Sequence, residues 1–191
     1  VRLGFGRALN LADTLSTASG QLPEAETLTS SGAFANFCFG QGELLATPIQ
    51  IAAMMNTIAA GGIWREPLFL EGTLDETTGE SLTALAHRGA RRVFSAQTAR
   101  ALRELLASVV TEGTGHEAAP TEGTAAGKTG TAQTGQFAAG KELKNYWFAG
   151  FYPARNPRYT IVVLQDGQTG PSRTSAAIFA RVCDALDAAR E

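Results

Sequence analysis

Five consecutive residues, Gly127-Lys128-Thr129-Gly130-Thr131, bring together an ammonium, two hydroxyls and two positions without side chains. Two chemistries use such a set. The first is a phosphate-binding loop, G-x-x-x-x-G-K-[ST], set between a buried strand and a helix. The glycine this spacing requires is Glu122 here, and Gly123 stands one residue too close. The stretch from Gly113 to Glu122 is polar where a buried strand should lie, and Gly130 among threonines starts a helix poorly. Ile161–Asp166 imitates the acid-ended strand of a nucleotide site, but reads better as a buried strand entering an Asp-Gly turn. The second chemistry places Lys-Thr-Gly on a β-strand lining an acyl-transfer cleft. There a fixed ammonium and two hydroxyls hold a substrate carboxylate, and Gly130 lets that substrate lie close to the backbone. Strand alternation puts Lys128 and Gly130 on one face and Thr129 and Thr131 on the other. The threonines then act together only if the cleft lies on their side or the strand twists locally. The same tripeptide also fits an exposed edge strand with no chemistry.

The elements that must position these residues are legible from caps and periodicity. Thr47-Pro48 starts a helix, with a side-chain oxygen to cap and a proline whose missing N–H costs nothing at the first position. Ile49, Ala52, Ala53, Asn56 and Ala60 continue it, apolar nearly all round and so expected to be buried, until Gly61-Gly62. Ser95 caps a second helix whose stripe is Ala99, Leu102, Leu106, Val109 and Val110, ending near Gly113-Thr114-Gly115. Short β-like pieces are expected at Leu68–Leu70 and Arg92–Phe94. Thr124–Gln133, Asn145–Pro153 and Tyr159–Leu164 read as strands; the last, apolar on both faces, has the pattern of a central strand. Ala154-Arg155-Asn156-Pro157 turns between the last two, which makes them antiparallel neighbours. An amphipathic helix with Ile178, Phe179, Val182, Cys183 and Leu186 closes the chain. Before residue 47, loops and short helical pieces are expected. The fold class is α+β: a helical segment, then a short antiparallel sheet and a C-terminal helix, in one unit over residues 1–191.

Composition excludes several functions. The chain has 191 residues, 44% apolar and 18% charged, an ordinary globular balance, and its net charge of −2 offers nucleic acid no basic field. His87 and His116 stand alone among polar neighbours and are read as solvated, not as metal ligands. Cys38 and Cys183 belong to no CxxC pair and are read as small buried hydrophobes; they would bridge only with Cα atoms within about 7 Å. No cofactor or metal is expected.

Lys-Thr-Gly stands with S-x-x-K and S-D-N among the signatures of penicillin-binding proteins and class A β-lactamases. Phe39-Gly40-Gln41-Gly42, then Leu45, Thr47-Pro48-Ile49-Gln50, Ala52-Ala53, Asn56 and Ala59-Ala60-Gly61-Gly62, resemble the class B penicillin-binding proteins, the monofunctional transpeptidases of elongation, division and sporulation. Other segments match in the family's order. They are Leu3-Gly4-Phe5-Gly6, Gly20 with Leu22-Pro23, Val109–Gly115, Ala126–Gln133 and Trp147–Pro153. The likeness therefore spans nearly the whole chain, as the C-terminal part of a transpeptidase domain of β-lactamase/transpeptidase-like fold.

The resemblance implies a serine D,D-transpeptidase that cross-links peptidoglycan stem peptides and binds β-lactams. Lys128 would position substrate and tune the proton network, and Thr129 and Thr131 would bind the terminal carboxylate. Gly130 would admit the substrate, and the Thr131 backbone N–H would form half of the oxyanion hole. It also implies a place in the bacterial envelope outside the cytoplasmic membrane, with an anchor upstream. The chain departs from the family in one respect. Its three lysines, Lys128, Lys141 and Lys144, follow Ala125, Ala138 and Lys141 at the S-x-x-K spacing, and no S-x-N occurs. The nucleophile is therefore expected in an N-terminal remainder of the same protein, and this chain alone is expected to be inactive. The family pairs its first strands with its last, so Tyr159–Leu164 is expected to have an unpaired edge. A catalytically dead sensor or binding domain and a serine β-lactamase remain as alternatives.

Overall fold

The structure, a computed structural model, describes residues 2–12, 15–70, 72–84, 89–170 and 173–189. In chain order, strands β1 (Asn10–Ala12) and β2 (Leu15–Ser16) precede a 3-10 turn over Ala25–Thr29 and helices α1 (Ser31–Cys38) and α2 (Pro48–Ala59). Short strands β3 (Ile63–Trp64), β4 (Gly72–Leu74), β5 (Ser81–Ala84) and β6 (Arg91–Arg92) lead to helix α3 (Ala96–Thr111). A 3-10 turn at His116–Ala118 is followed by strands β7 (Ala126–Ala138), β8 (Lys141–Tyr152) and β9 (Tyr159–Gln168) and helix α4 (Ser175–Ala188).

Each helix starts where the caps require. The Thr47 hydroxyl accepts from Gln50 N–H while the Gln50 side chain accepts from Thr47 N–H, a reciprocal capping box with Pro48 in the first turn. Ser95 and Thr174 cap α3 and α4 by accepting from Thr98 and Ala177 N–H. Gln50 does more than cap. It is fully buried, and its Nε2 donates to the carbonyls of Gly4 (3.0 Å), Arg7 (3.1 Å) and Ser19 (2.9 Å). One amide therefore fastens the N-terminal loop to the start of α2.

Strands β7, β8 and β9 form an antiparallel meander with β8 in the middle. Alternation along β8 divides two cores. Phe148 and Tyr152 face α4, where they pack with Phe179, Cys183, Val110 and Ala118, the Phe148 and Phe179 ring centroids being 4.7 Å apart. Ala149 and Phe151 face the other way, onto Met55 and Ile58 of α2 and Leu102 and Leu106 of α3. Fully burying a phenylalanine contributes about 1.5–3 kcal/mol, so Phe148, Phe151 and Phe179, each fully buried, hold helices to both faces. The result is the expected α+β arrangement, with helices sandwiching a short antiparallel sheet.

Four expectations are corrected. Tyr159–Leu164 lies in β9, not in the centre of the sheet as its pattern reads but at the edge among the described residues, as the resemblance implies; its positions are half-buried, because two-sided apolarity records helices on both faces rather than strands on both sides. Leu68–Leu70 is not a strand: Phe69 is exposed, and its N–H donates once, to Leu11 O. The second β-like piece is Arg91–Arg92, paired with Ile63–Trp64, rather than Arg92–Phe94. Cys38 is exposed, because α1 buries none of its residues, while Cys183 is buried as expected; both thiols are free. His116 is exposed, and His87 lies outside the described residues.

Candidate active site

Strand β7 carries Lys128, Thr129, Gly130 and Thr131 along an edge that no other described strand covers. Its position is set by two glycines that packing demands. Gly127 and Gly150 are partners in register; a Cβ on Gly150 would lie 2.2 Å from Ala126 O, and one on Gly127 would lie 2.5 Å from Phe148 Cε1. Gly130 is different. A Cβ there would meet Trp147 Cβ at 3.4 Å, an ordinary contact, so the chain's own packing does not require a glycine.

The register gives the expected faces: Lys128 and Gly130 oppose Ala149 and Trp147, while Thr129 and Thr131 oppose Phe148 and Tyr146. The Lys128 ammonium nevertheless leaves its own face. It curls round the strand edge to donate to Thr129 O (3.0 Å) and Thr129 Oγ1 (3.1 Å). Thr129 Oγ1 also stands 3.3 Å from Thr114 Oγ1, in the turn after α3. One ammonium and two hydroxyls thus meet at the edge of β7, where Lys128 and Thr131 are exposed. The partners of Lys128 among the described residues are neutral oxygens, and the described ion pair is elsewhere, between Arg7 and Glu66.

Two participants went unassigned in the sequence reading. Thr114 lay in the turn after α3, within the Val109–Gly115 segment of the resemblance, with no role given to its hydroxyl. Gln41 lay within Phe39-Gly40-Gln41-Gly42, but nothing local reveals its partner: its Nε2 donates to Thr131 O at 3.1 Å, 90 residues away. Residues of an antiparallel pair alternate between exchanging both backbone bonds with the opposite residue and pointing both groups outward. The side-chain donors on Thr129 O and Thr131 O mark these as the outward positions, so the Thr129 and Thr131 N–H groups point to the same free edge.

Two cavities lie elsewhere. One of about 710 Å³ is lined by Arg100, Arg103 and Arg155, another of about 250 Å³ by Asn56, Arg65 and Thr160, and neither is lined by the 128–131 segment. The open edge, not an enclosed pocket, concentrates the groups able to do chemistry. Among the described residues no three His, Cys, Asp or Glu side chains cluster to hold a metal, and no helix is long and apolar enough to cross a membrane. On the α4 side of the sheet, the hydrogen bond to Asp187 and burial push the Tyr152 phenol up to about 12, and burial pushes the Cys183 thiol up to about 12. These two groups belong to the core.

Residues 1–184 match the penicillin-binding protein transpeptidase domain. Penicillin-binding protein PbpB of Mycolicibacterium smegmatis is 34% identical over 200 residues, which cover 97% of this chain and 30% of the relative. Peptidoglycan D,D-transpeptidase FtsI of Escherichia coli K12 is 32% identical over 188 residues, covering 95% of this chain and 29% of the relative. The chain thus spans less than a third of the length of these curated relatives. The solved structure of penicillin-binding protein 3 from Mycobacterium tuberculosis, in its apo form, is similar with a TM-score of 0.83 at 29% identity, over 99% of this chain and 45% of that one. The same protein complexed with aztreonam is similar with a TM-score of 0.81 at 30% identity, over 99% and 44%.

Proposed function

The chain belongs to the penicillin-binding protein transpeptidase domain family, and on that premise we propose that it supplies the carboxylate-binding strand of a serine D,D-transpeptidase that cross-links peptidoglycan stem peptides. The observation that carries this reading is the Lys128 ammonium at an open strand edge, bonded only to neutral oxygens among the described residues. A carboxylate arriving there replaces neutral acceptors by a fully charged one, so the ammonium gains an ion pair that its present partners do not offer.

In the proposed reaction a serine Oγ attacks the carbonyl of the penultimate D-Ala. The amide bond breaks, and the terminal D-Ala leaves as a free amine carrying the proton that the serine gave up. An amine of a neighbouring strand then attacks the acyl ester, the ester C–O bond breaks as the cross-link amide forms, and the proton lost by that amine passes to the serine Oγ. Lys128 and the hydroxyls of Thr129 and Thr131 hold the terminal carboxylate. The outward N–H of Thr131 stabilises the oxyanion. Gly130 leaves room for the peptide against the strand.

The sequence contains neither S-x-x-K nor S-x-N, so the serine, its base and the rest of the oxyanion hole are assigned to an N-terminal remainder of the same protein. The half-buried edge of β9 is where that remainder would add its strands. β-Lactams are the expected inhibitors, as the aztreonam complex of the related penicillin-binding protein 3 suggests by analogy. The proposed location is the outer side of the bacterial cytoplasmic membrane.

The test is intact mass after exposure to a penicillin, on the whole gene product and on this chain in parallel. One long-lived adduct on the whole protein and none on the chain is the expected result. No adduct on either would point instead to a penicillin-binding-like sensor without acylation, and rapid turnover of the drug would point to a β-lactamase.

A further inference from the structure

We propose that Gln41 competes with the substrate for the Thr131 carbonyl, and so sets how readily the site accepts ligands that carry an amide N–H beside the reacting carbonyl. The inference rests on the transpeptidase reading above. It starts from the geometry of the free edge. Thr131 points both its N–H and its C=O outward, and an extended peptide added antiparallel to such a position exchanges both bonds with one residue. A substrate residue whose carbonyl enters the Thr131 N–H must therefore offer its own N–H to Thr131 O. Gln41 Nε2 already stands on that oxygen at 3.1 Å.

Gln41 is built to be there. It sits between Gly40 and Gly42, both in the left-handed region at φ +79° and +78°, where side chains are rarely accommodated. Its own N–H donates to Asn36 O at 2.8 Å, which ties the turn to the end of α1. The backbone is held, and the half-exposed side chain reaches across to β7. A side chain in this position mimics one bond of an added strand without filling the rest of the edge. It protects the acceptor in the free protein, and it must swing aside when the substrate N–H arrives.

The ligand class follows from this chemistry. Penicillins carry an acylamino N–H on the carbon next to the lactam carbonyl, in the same relation as the N–H of the penultimate residue of a stem peptide. Carbapenems carry a hydroxyethyl group there and offer no such N–H. Competition at Thr131 O therefore slows the first class and leaves the second untouched.

The experiment measures second-order acylation rates of the whole gene product, unaltered and as Gln41→Ala and Gln41→Met, with a penicillin and with a carbapenem. The methionine keeps the length of the side chain and removes the donor. Both variants should react with the penicillin about two- to tenfold faster, the range of one exposed neutral hydrogen bond, and with the carbapenem at the unaltered rate. Equal or slower penicillin acylation overturns the proposal. So does equal acceleration by both drugs, or acceleration in the alanine variant alone, since either makes bulk rather than the hydrogen bond responsible. If the unaltered protein reacts with neither drug, the transpeptidase reading itself fails and the role of Gln41 falls with it.

Discussion

Gly150→Ala and Gly130→Ala add the same methyl group twenty residues apart, and the structure assigns them opposite consequences. At Gly150 the new Cβ would stand 2.2 Å from Ala126 O, a backbone atom of the paired strand, so β7 and β8 must separate. Overpacking of this kind costs about 1–3 kcal/mol and occasionally more, and here the obstacle is backbone that no rotamer change can move. Taking about 3 kcal/mol, a unit of this size loses about 6–12 °C in Tm, and a longer cooperative unit proportionately less. At Gly130 the methyl meets Trp147 Cβ at 3.4 Å, and the residue is not among those with positive φ. A tolerated glycine-to-alanine change is neutral or stabilises by about 0.4–1 kcal/mol through the unfolded chain. The same methyl would displace a substrate lying on the strand, and a misplacement of about 1 Å costs about a hundredfold in rate. Thermal denaturation and penicillin acylation of the whole gene product read out both variants. Gly150→Ala should lower Tm, whereas Gly130→Ala should keep Tm and lose acylation. An unchanged Tm for Gly150→Ala would refute the steric argument, and normal acylation of a stable Gly130→Ala would remove Gly130 from the site.

Two further outcomes follow from the packing. Tyr152 and Cys183 both titrate higher in the fold than their usual values, to about 12, so the folded state holds protons that the unfolded chain gives up. Stability is full below about pH 9, falls above it as the unfolded Cys183 thiol ionises, and falls more steeply above about pH 10 as the unfolded Tyr152 phenol does, until about pH 12; urea denaturation at pH 8 and pH 10.5 checks it, and Cys183→Ala should flatten the lower part of the decline. Gln50→Ala should cost about 2–4 kcal/mol, because it strips a buried amide from the carbonyls of Gly4, Arg7 and Ser19 and from the N-cap of α2. Hydrogen exchange should then speed up together in residues 4–20 and in the first turn of α2, and acceleration in the helix alone would contradict the tie.

Local chemistry explains which parts were legible. Thr47, Pro48 and Ser95 announce helix starts because caps act within four residues. The strand faces of Lys128 through Thr131 follow from a period of two. What escaped depends on distant partners. The burial of β9 could be read from its residues, but its edge position came only from the family resemblance, since helices on two faces and strands on two sides leave the same apolar pattern. Cys38 reads as a core residue because its side chain is apolar, yet among the described residues α1 packs chiefly against its neighbouring 3-10 turn and buries none of its side chains. Within the candidate site, alternation separated Lys128 from Thr129, and only the curl of a flexible lysine round the edge reunites them. Thr114 and Gln41 enter from other elements, with no periodicity to mark them.

The sheet joins its strands through short connections: residues 139–140 link β7 to β8, and residues 153–158 link β8 to β9. Closing such turns costs little chain entropy, whereas bringing Gln41 to Thr131 closes 90 residues. By the logarithmic law the difference is about 2–3 kcal/mol, more than the ~1 kcal/mol that one exposed hydrogen bond returns. That bond therefore cannot recruit its own partners. It forms because α2, packed on the sheet through Met55 and Ile58, has already carried the loop into place. A contact delivered by burial elsewhere can break and re-form without loosening the fold, which makes the strand edge a rigid template with a removable cover.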